Sequence, residues 1–390
     1  MRLRLLALTS AVAFFGGACT TAPPGEPGPT SPTPAPAVTL VKIAYFEDLS
    51  PEGADEWTAP AFQGARLAID TAGLADPLPV AVELMAFDTK GSSEGAATVA
   101  SEVAADPAYV AAIGAPFLTG QAAIGRILDP AGVPMITLST LGPKLAGEDW
   151  TTWRRAVANE REQGGALAAY VDGQAAAHRG VCLLGDASPA STELVGAVAD
   201  ALTSPVALRG KLPPEEGAAT AVMTRVAATG CGVVVWGGRS DEGAPLRRDL
   251  VETGLRGVAF VGGDGIKDET FLSVAGGSGV GTVATCPCAD LSASTALPAQ
   301  RFIQDYQADF GLPPGPYAVE ALDVARMILR TIRDGATTRG AVLVALAASG
   351  PFEGLANTYA FRPDGELTPE SALVRLYRDE GGRWIPLPGP

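Results

Sequence analysis

Histidine is almost missing from this 390-residue chain: there is one, His178, between Ala177 and Arg179. A single imidazole leaves no material for a His-based metal cage or a Ser-His-Asp relay. Basic residues are also few, 28 Lys and Arg against 43 Asp and Glu, giving a formal charge of −15. No Lys/Arg run exceeds two residues, so the surface opposes a phosphate backbone instead of matching it, and nucleic acid is excluded as a partner. The phosphate-cradling GxxxxGK(S/T), the zinc-binding HExxH and the GxSxG nucleophile elbow are all absent. Gly276–Gly281 is glycine-rich but precedes a strand pattern instead of opening a helix, so it reads as a loop. No cofactor and no metal are implied. Past the N-terminus no stretch approaches the roughly 18 apolar residues that a membrane-spanning helix needs.

What is present begins with an address. Arg2 and Arg4 precede an apolar run, Leu5–Ala18, too short to span a bilayer but suited to a secretory signal. The run ends in Gly16-Gly17-Ala18-Cys19, which resembles the lipobox of bacterial lipoproteins, with Gly16 where that pattern usually has Leu. The resemblance implies a signal over residues 1–18, lipidation of Cys19 and a chain held to the membrane through that lipid alone. The alternative is an ordinary cleaved signal with an incidental cysteine. Residues 19–39 follow as a tether: Thr20–Val38 holds seven prolines and no Lys or Arg, a composition that stays extended and solvated.

The body alternates strand and helix. Leu40–Glu47, Val80–Phe87, Val110–Gly114 and Val133–Leu138 read as buried parallel strands, with amphipathic helices at Ala59–Thr71, Ser93–Ala105 and Thr119–Ile127 between them. A second series places strands at Gly180–Leu184, Pro205–Arg209, Val233–Trp236 and Val258–Val261, with helices near 162–176, 190–202, 218–228 and 244–253. Helices at Ala299–Asp309, Tyr317–Arg333 and Arg339–Ala348 and a hairpin, Ala372–Tyr377 with Arg383–Pro386, complete the chain. The fold class is α/β, two doubly wound lobes, and the loops at the strand C-termini favour a ligand in the cleft between them. Thr119 reads as the N-cap of its helix, leaving backbone N–H groups free for a carboxylate. In Gly262-Gly263-Asp264-Gly265 the glycines permit positive φ, turning the Asp264 carboxylate to the cleft.

Nearly the whole body resembles the leucine/isoleucine/valine-binding protein family, the solute receptors of ABC importers with the type I periplasmic-binding fold. The resemblance rests on Trp57–Arg66 with its Gly64, Phe87-Asp88, Ile113-Gly114, Gly132–Ile136, Arg155 with Glu160 and Gln163-Gly164, Gly185-Asp186 with Pro189, Gly262–Gly265, Tyr317-Ala318, and Asn357–Phe361 with Asp364-Gly365. Each motif is weak alone; their order and spacing carry the likeness. It implies three crossings between lobes, near Arg155–Glu160, Thr285–Asp290 and Phe361–Pro369, acting as a hinge. Lobe 1 then comprises residues 40–157 and 286–365, and lobe 2 residues 158–285 and 366–390.

By the same resemblance Trp57 lines the pocket, Ser139 and Thr140 hold the carboxylate of an α-amino acid, Asp264 pairs with its ammonium, Tyr317 faces the cleft and Glu160 stands at its edge. Each also has a plain structural reading: core tryptophan, strand-end turn, Asx turn, core tyrosine or hinge residue. Phe117, Leu118 and Thr119 form the first-lobe loop, with Leu118 where relatives place a carboxylate-holding Ser and Thr119 beside it. Ala190 stands where a Tyr usually closes the pocket, and Arg239 replaces another aromatic. These departures imply a roomier pocket with an added positive charge, for a ligand with an extra acidic or amide group or one bulkier than leucine, unless Arg239 is a rim residue paired to Asp241 or Glu242.

Cys182 and Cys231 begin strands expected to be neighbours, so a bridge and two buried thiols are both open; a bridge within Cys286-Pro287-Cys288 is expected to be strained. The implied function is that of an exported, lipid-anchored, monomeric receptor that captures an amino acid or related small molecule and presents it to an ABC permease, without catalysis. The alternatives are a sensory module of the same fold and, third, a cleft enzyme working through Asp264 and Glu160.

Overall fold

The computed structural model describes residues 40–49, 58–74, 77–116, 119–138, 149–212 and 218–388. Cys19, the signal and the tether lie outside the described residues, as do Trp57, Phe117, Leu118, Ser139 and Thr140.

The first sheet is wholly parallel, in the order β2-β1-β3-β4-β5, from β1 (Leu40–Glu47), β2 (Ala81–Asp88), β3 (Tyr109–Gly114), β4 (Met135–Thr137) and β5 (Trp153–Arg155). Period-2 alternation divides β1 between two cores. Ile43 and Tyr45 pack with Ala61, Ala65 and Ala68 of α1 (Thr58–Thr71), whereas Ala44 and Phe46 pack with Ala96, Ala100 and Val103 of α2 (Ser93–Ala105) and Ile124 of α3 (Gln121–Leu128). Both faces are covered, as a parallel sheet requires.

The second sheet runs β14-β13-β10-β9-β8-β6-β7. Its parallel part is β6 (Val181–Gly185), β7 (Val206–Lys211), β8 (Val233–Trp236), β9 (Ala259–Gly262) and β10 (Val283–Cys286). The C-terminal hairpin, β13 (Arg375–Asp379) and β14 (Trp384–Pro386), adds two antiparallel strands beside β10. The intervening helices are α4 (Glu160–Asp172), α5 (Pro189–Ala201), α6 (Ala218–Thr229), α7 (Ser240–Glu252) and α8 (Glu269–Ala275). The stretch read as one helix near 162–176 is shorter than expected: α4 stops at Gly173 and a 3-10 turn, Ala175–Arg179, follows.

After β10 the chain returns to the first lobe. There α9 (Leu297–Phe310) and α10 (Ala318–Arg333) pack on α1, and α11 (Arg339–Ala348) packs on α10 and β3. The chain then forms a small hairpin, β11 (Phe352–Glu353) with β12 (Thr358–Tyr359), before β13 rejoins the second sheet. Gly64 of α1 meets the Ala318 backbone so closely that a Cβ there would overlap the carbonyl, which fixes α10 and the residue before it, Tyr317, against the first lobe.

Two buried clusters hold the crossings. Arg155 Nε donates to both carboxylate oxygens of Glu366, at 3.0 and 3.2 Å, with both side chains out of solvent. The Arg155 backbone N–H also donates to the Gly365 carbonyl (2.9 Å), so the first and third crossings are tied by main chain and by charge. At the second crossing Glu320 accepts from the Ala289 N–H (2.6 Å), Lys267 lies 3.8 Å from Asp290, and the Tyr377 hydroxyl donates to the Cys288 carbonyl (2.7 Å). Both cysteine pairs are bonded, Cys182 to Cys231 with Cα atoms 6.0 Å apart and Cys286 to Cys288 at 5.0 Å. Both Cα separations fall in the range a disulfide spans.

Candidate functional site

Each sheet reverses its strand order once, between β1 and β3 and between β6 and β8. Ligands of doubly wound sheets bind outside the strand C-termini at such a switch point, where the flanking loops splay apart. In the second lobe that location carries Asp186, directly after β6, and the Gly237-Gly238-Arg239 loop after β8, with the Gly262–Gly265 loop after β9 beside it. The two glycine loops touch: a Cβ on Gly265 would lie 2.8 Å from the Gly238 carbonyl oxygen. This corrects the expected role of the glycines around Asp264. None of Gly262, Gly263 and Gly265 has positive φ; at Gly265 it is the close approach of two backbones that calls for glycine.

Asp264 is almost fully buried. Its Oδ1 accepts from Gln163 Nε2 of α4 (2.9 Å), which also donates to the Thr285 carbonyl (3.2 Å). Its Oδ2 accepts from the Tyr317 hydroxyl at 2.5 Å. Gln163 belongs to the second lobe and Tyr317 to the helix layer of the first, so the Tyr317–Asp264 hydrogen bond spans the two lobes. Tyr317 is itself fully buried and is held at φ +61 as the N-cap of α10, a left-handed conformation rare for an aromatic residue. Burial raises the Asp264 carboxyl above its ordinary range, and the donors Tyr317 and Gln163 pull it part of the way back. Burial, with the Asp264 charge beside it, lifts the Tyr317 phenol well above its usual value, keeping it a proton donor. No Lys, Arg or His among the described residues forms an ion pair with Asp264.

Glu160 is the first residue of α4, whose N-cap Asn159 accepts from the Arg161 and Glu162 N–H groups in a complete capping box. Burial pushes the Glu160 carboxyl up to about 8, against the pull of Arg155 and with a push from Asp264. Glu160, Asp264 and Tyr317 therefore share one buried electrostatic neighbourhood. Gln163 is the member that sequence reasoning left without a role: a glutamine in a helix usually reads as part of a solvated face, and only the packing of α4 on β9 and β10 buries it.

The other expected residues stand apart from this cluster. Thr119 is an exposed turn residue and not the helix N-cap; Gly120, at φ +79, takes that position, a conformation glycine adopts freely and threonine does not. Ala190 is half-buried in the first turn of α5, behind the N-cap Ser188. Arg239 is exposed and caps α7 with its backbone, its carbonyl accepting from Trp236 Nε1 (2.9 Å) and the Gly243 N–H (2.9 Å). Its surroundings are acidic: burial first, then Asp241 and Asp186, push the Glu242 carboxyl up to about 7. Sequence reasoning also passed over Glu47 at the C-terminal end of β1, buried and pushed up to about 8 by desolvation and by Asp88. Its sequence signal was a charged residue closing an apolar strand.

A family model described as periplasmic binding protein matches residues 40–382. The chain belongs to the periplasmic binding protein family. A curated relative, Leu/Ile/Val-binding protein homolog 3 of Brucella melitensis, is 23% identical over 334 residues, covering 81% of this chain and 86% of its own. Among solved structures, the fold of this periplasmic binding protein is similar to the branched-chain amino acid transporter substrate binding protein LivJ of Streptococcus pneumoniae in complex with isoleucine. The TM-score is 0.77 at 20% identity, over 89% of this chain and 98% of that one. It is also similar to the ABC transporter substrate-binding protein of Desulfitobacterium hafniense in complex with Leu, with TM-score 0.72 and 18% identity over 89% and 99%. Among the described residues no helix is long and apolar enough to cross a membrane, and no cluster of His, Cys, Asp and Glu could hold a metal.

Proposed function

We propose that this periplasmic binding protein is the extracytoplasmic solute receptor of an ABC importer and binds an α-amino acid between its two lobes, without chemistry. The observation that carries the reading is Asp264. A carboxylate taken out of water is costly unless a cation or strong donors compensate it, and here only neutral donors are supplied. An ionised carboxylate has about four acceptor sites, so room remains for an ammonium beside Tyr317 and Gln163. The names of the relatives, with their isoleucine and leucine complexes, support a branched-chain side chain.

In this reading lobe 1 is residues 40–157 and 286–365 and lobe 2 is residues 158–285 and 366–390, closing about the three crossings. Trp57, Phe117, Leu118, Thr119, Ser139 and Thr140 form the first-lobe lip, and the Ser139 and Thr140 hydroxyls take the ligand carboxylate. Glu160, Ala190, Arg239 and Asp264 contribute from the second lobe, and Tyr317 bridges them. The Cys19 lipid and the proline tether keep a monomeric receptor near its permease.

A thermal-shift panel of amino acids tests the proposal: a ligand at 100 times its Kd adds about 2.7 kcal/mol. At least one of leucine, isoleucine and valine should stabilise the protein, and 4-methylpentanoate, which lacks the amine, should fail to displace it. A panel with no stabilising amino acid, or displacement by the amine-free acid at equal concentration, overturns the reading.

A further inference from the structure

A cavity of about 650 Å³ opens beside β5 and shares no lining residue with the Asp264 cluster. Its walls are mixed: Trp150, Trp153, Phe352 and Phe361 supply aromatic surface beside charged and polar side chains. Into this lining β5 contributes Arg154. The Arg154 guanidinium stands over the Phe361 ring, 5.9 Å from its centroid, and its Nη1 is buried with no hydrogen-bond partner. Trp153 also carries a buried indole N–H without an acceptor. The neighbouring Arg362 is different, because Asp364 accepts from its Nε and Nη2 at 3.1 and 2.8 Å.

An unsatisfied buried guanidinium nitrogen costs the full desolvation of a charged donor, and native proteins rarely leave one. Burial lowers the Arg154 pKa, the mark of a cation short of compensation. Neither carboxylate of the lining pairs with Arg154, since Asp364 is held by Arg362 and Asp149 lies exposed; beside Arg154 the lining offers flat aromatic surface. We infer that this cavity is a second ligand site, taking a small monocarboxylate with an aromatic or branched apolar body, its carboxylate on Arg154 and its body between Trp150, Phe352 and Phe361. A carboxylate is acceptor-only and matches the guanidinium fork, and the aromatic side chains supply flat area for the ligand body. A phosphate dianion would need a second cation, and Arg362 is already engaged. A zwitterionic amino acid suits the cavity poorly, because its ammonium would find only Asp364, held by Arg362, and Asp149, exposed at the rim.

The test uses the full chain with phenylacetate and indole-3-acetate as probes, by calorimetry and thermal shift. The inference expects saturable binding of at least one probe. Arg154→Gln should weaken it by about tenfold or more, the worth of one charge-assisted hydrogen bond. Ala347→Trp, at an exposed position of α11 that lines the cavity, should block it by filling space while leaving the fold intact. Asp264→Asn should leave probe binding in place. No binding of either probe, binding that survives both Arg154→Gln and Ala347→Trp, or binding lost in Asp264→Asn overturns the inference. Loss in Asp264→Asn alone would place the probe in the main cleft, an outcome that leaves the amino-acid reading standing.

Discussion

Of the buried carboxylates at the junction of the lobes, Glu366 and Asp264 differ most plainly in what compensates them. Glu366 receives two hydrogen bonds from Arg155, a full charge partner, in a pair from which water is excluded on both sides. Asp264 receives a phenol and an amide. A buried acid with its cation built in is a structural tie; a buried acid offered only neutral donors is short of one positive charge. The contrast sets a structural tie apart from the proposed ligand contact without reference to any relative.

Removing half of the compensated pair should have the largest effect on stability. Glu366→Gln replaces the charge that Arg155 Nε meets with a neutral amide and should cost about 3–5 kcal/mol in urea unfolding, the usual result of breaking a buried ion pair from one side. A loss below about 1 kcal/mol would mean that the pair is not the tie described here. Tyr317→Phe removes the donor that spans the lobes, a bond to a charged group worth about 1.5–3 kcal/mol. It should loosen the contact between the lobes, read as a larger radius of gyration in solution scattering without ligand; an unchanged radius would remove Tyr317 from holding the lobes together.

The smallest effect is on pH dependence. Glu160 and Glu47 are raised from an ordinary 4.5 to about 8 by burial. The folded state therefore binds these protons more tightly than the unfolded chain does. The destabilisation is absent below about 4.5, grows as pH rises and is complete above about 8, so from these groups stability falls across that window. Glu47→Gln should flatten the melting-temperature profile over this range relative to the unmodified chain, whereas an unaltered slope would contradict the raised carboxyl.

The same contrast explains what could be read from the residues in order. Val233–Trp236 and Leu40–Glu47 are apolar runs with turn chemistry at their ends, and both are strands with those bounds. By contrast β5 (Trp153–Arg155) left no such trace. Two of its three residues are arginines, and they are tolerable in a sheet only because Glu366, over two hundred residues later, meets one and a cavity receives the other. Asp264 was legible as a carboxylate in a glycine loop, but its burial and its neutral partners come from α4 and α10 and could not be read locally. Thr119 was misplaced for a similar reason, since hydroxyl chemistry favours threonine as a cap while the chain direction at that point demands the left-handed φ that Gly120 provides.

Calorimetric titration of Asp264→Asn with the amino acid that binds the unmodified protein best tests most directly whether Asp264 meets the ligand ammonium. An Asn keeps the shape of Asp264 and one of its two acceptor oxygens but removes the charge. A loss of about a hundredfold in affinity is expected, near 3 kcal/mol for a desolvated ammonium deprived of its counter-charge, with the folded state intact. Unchanged affinity in a folded Asp264→Asn protein would contradict it.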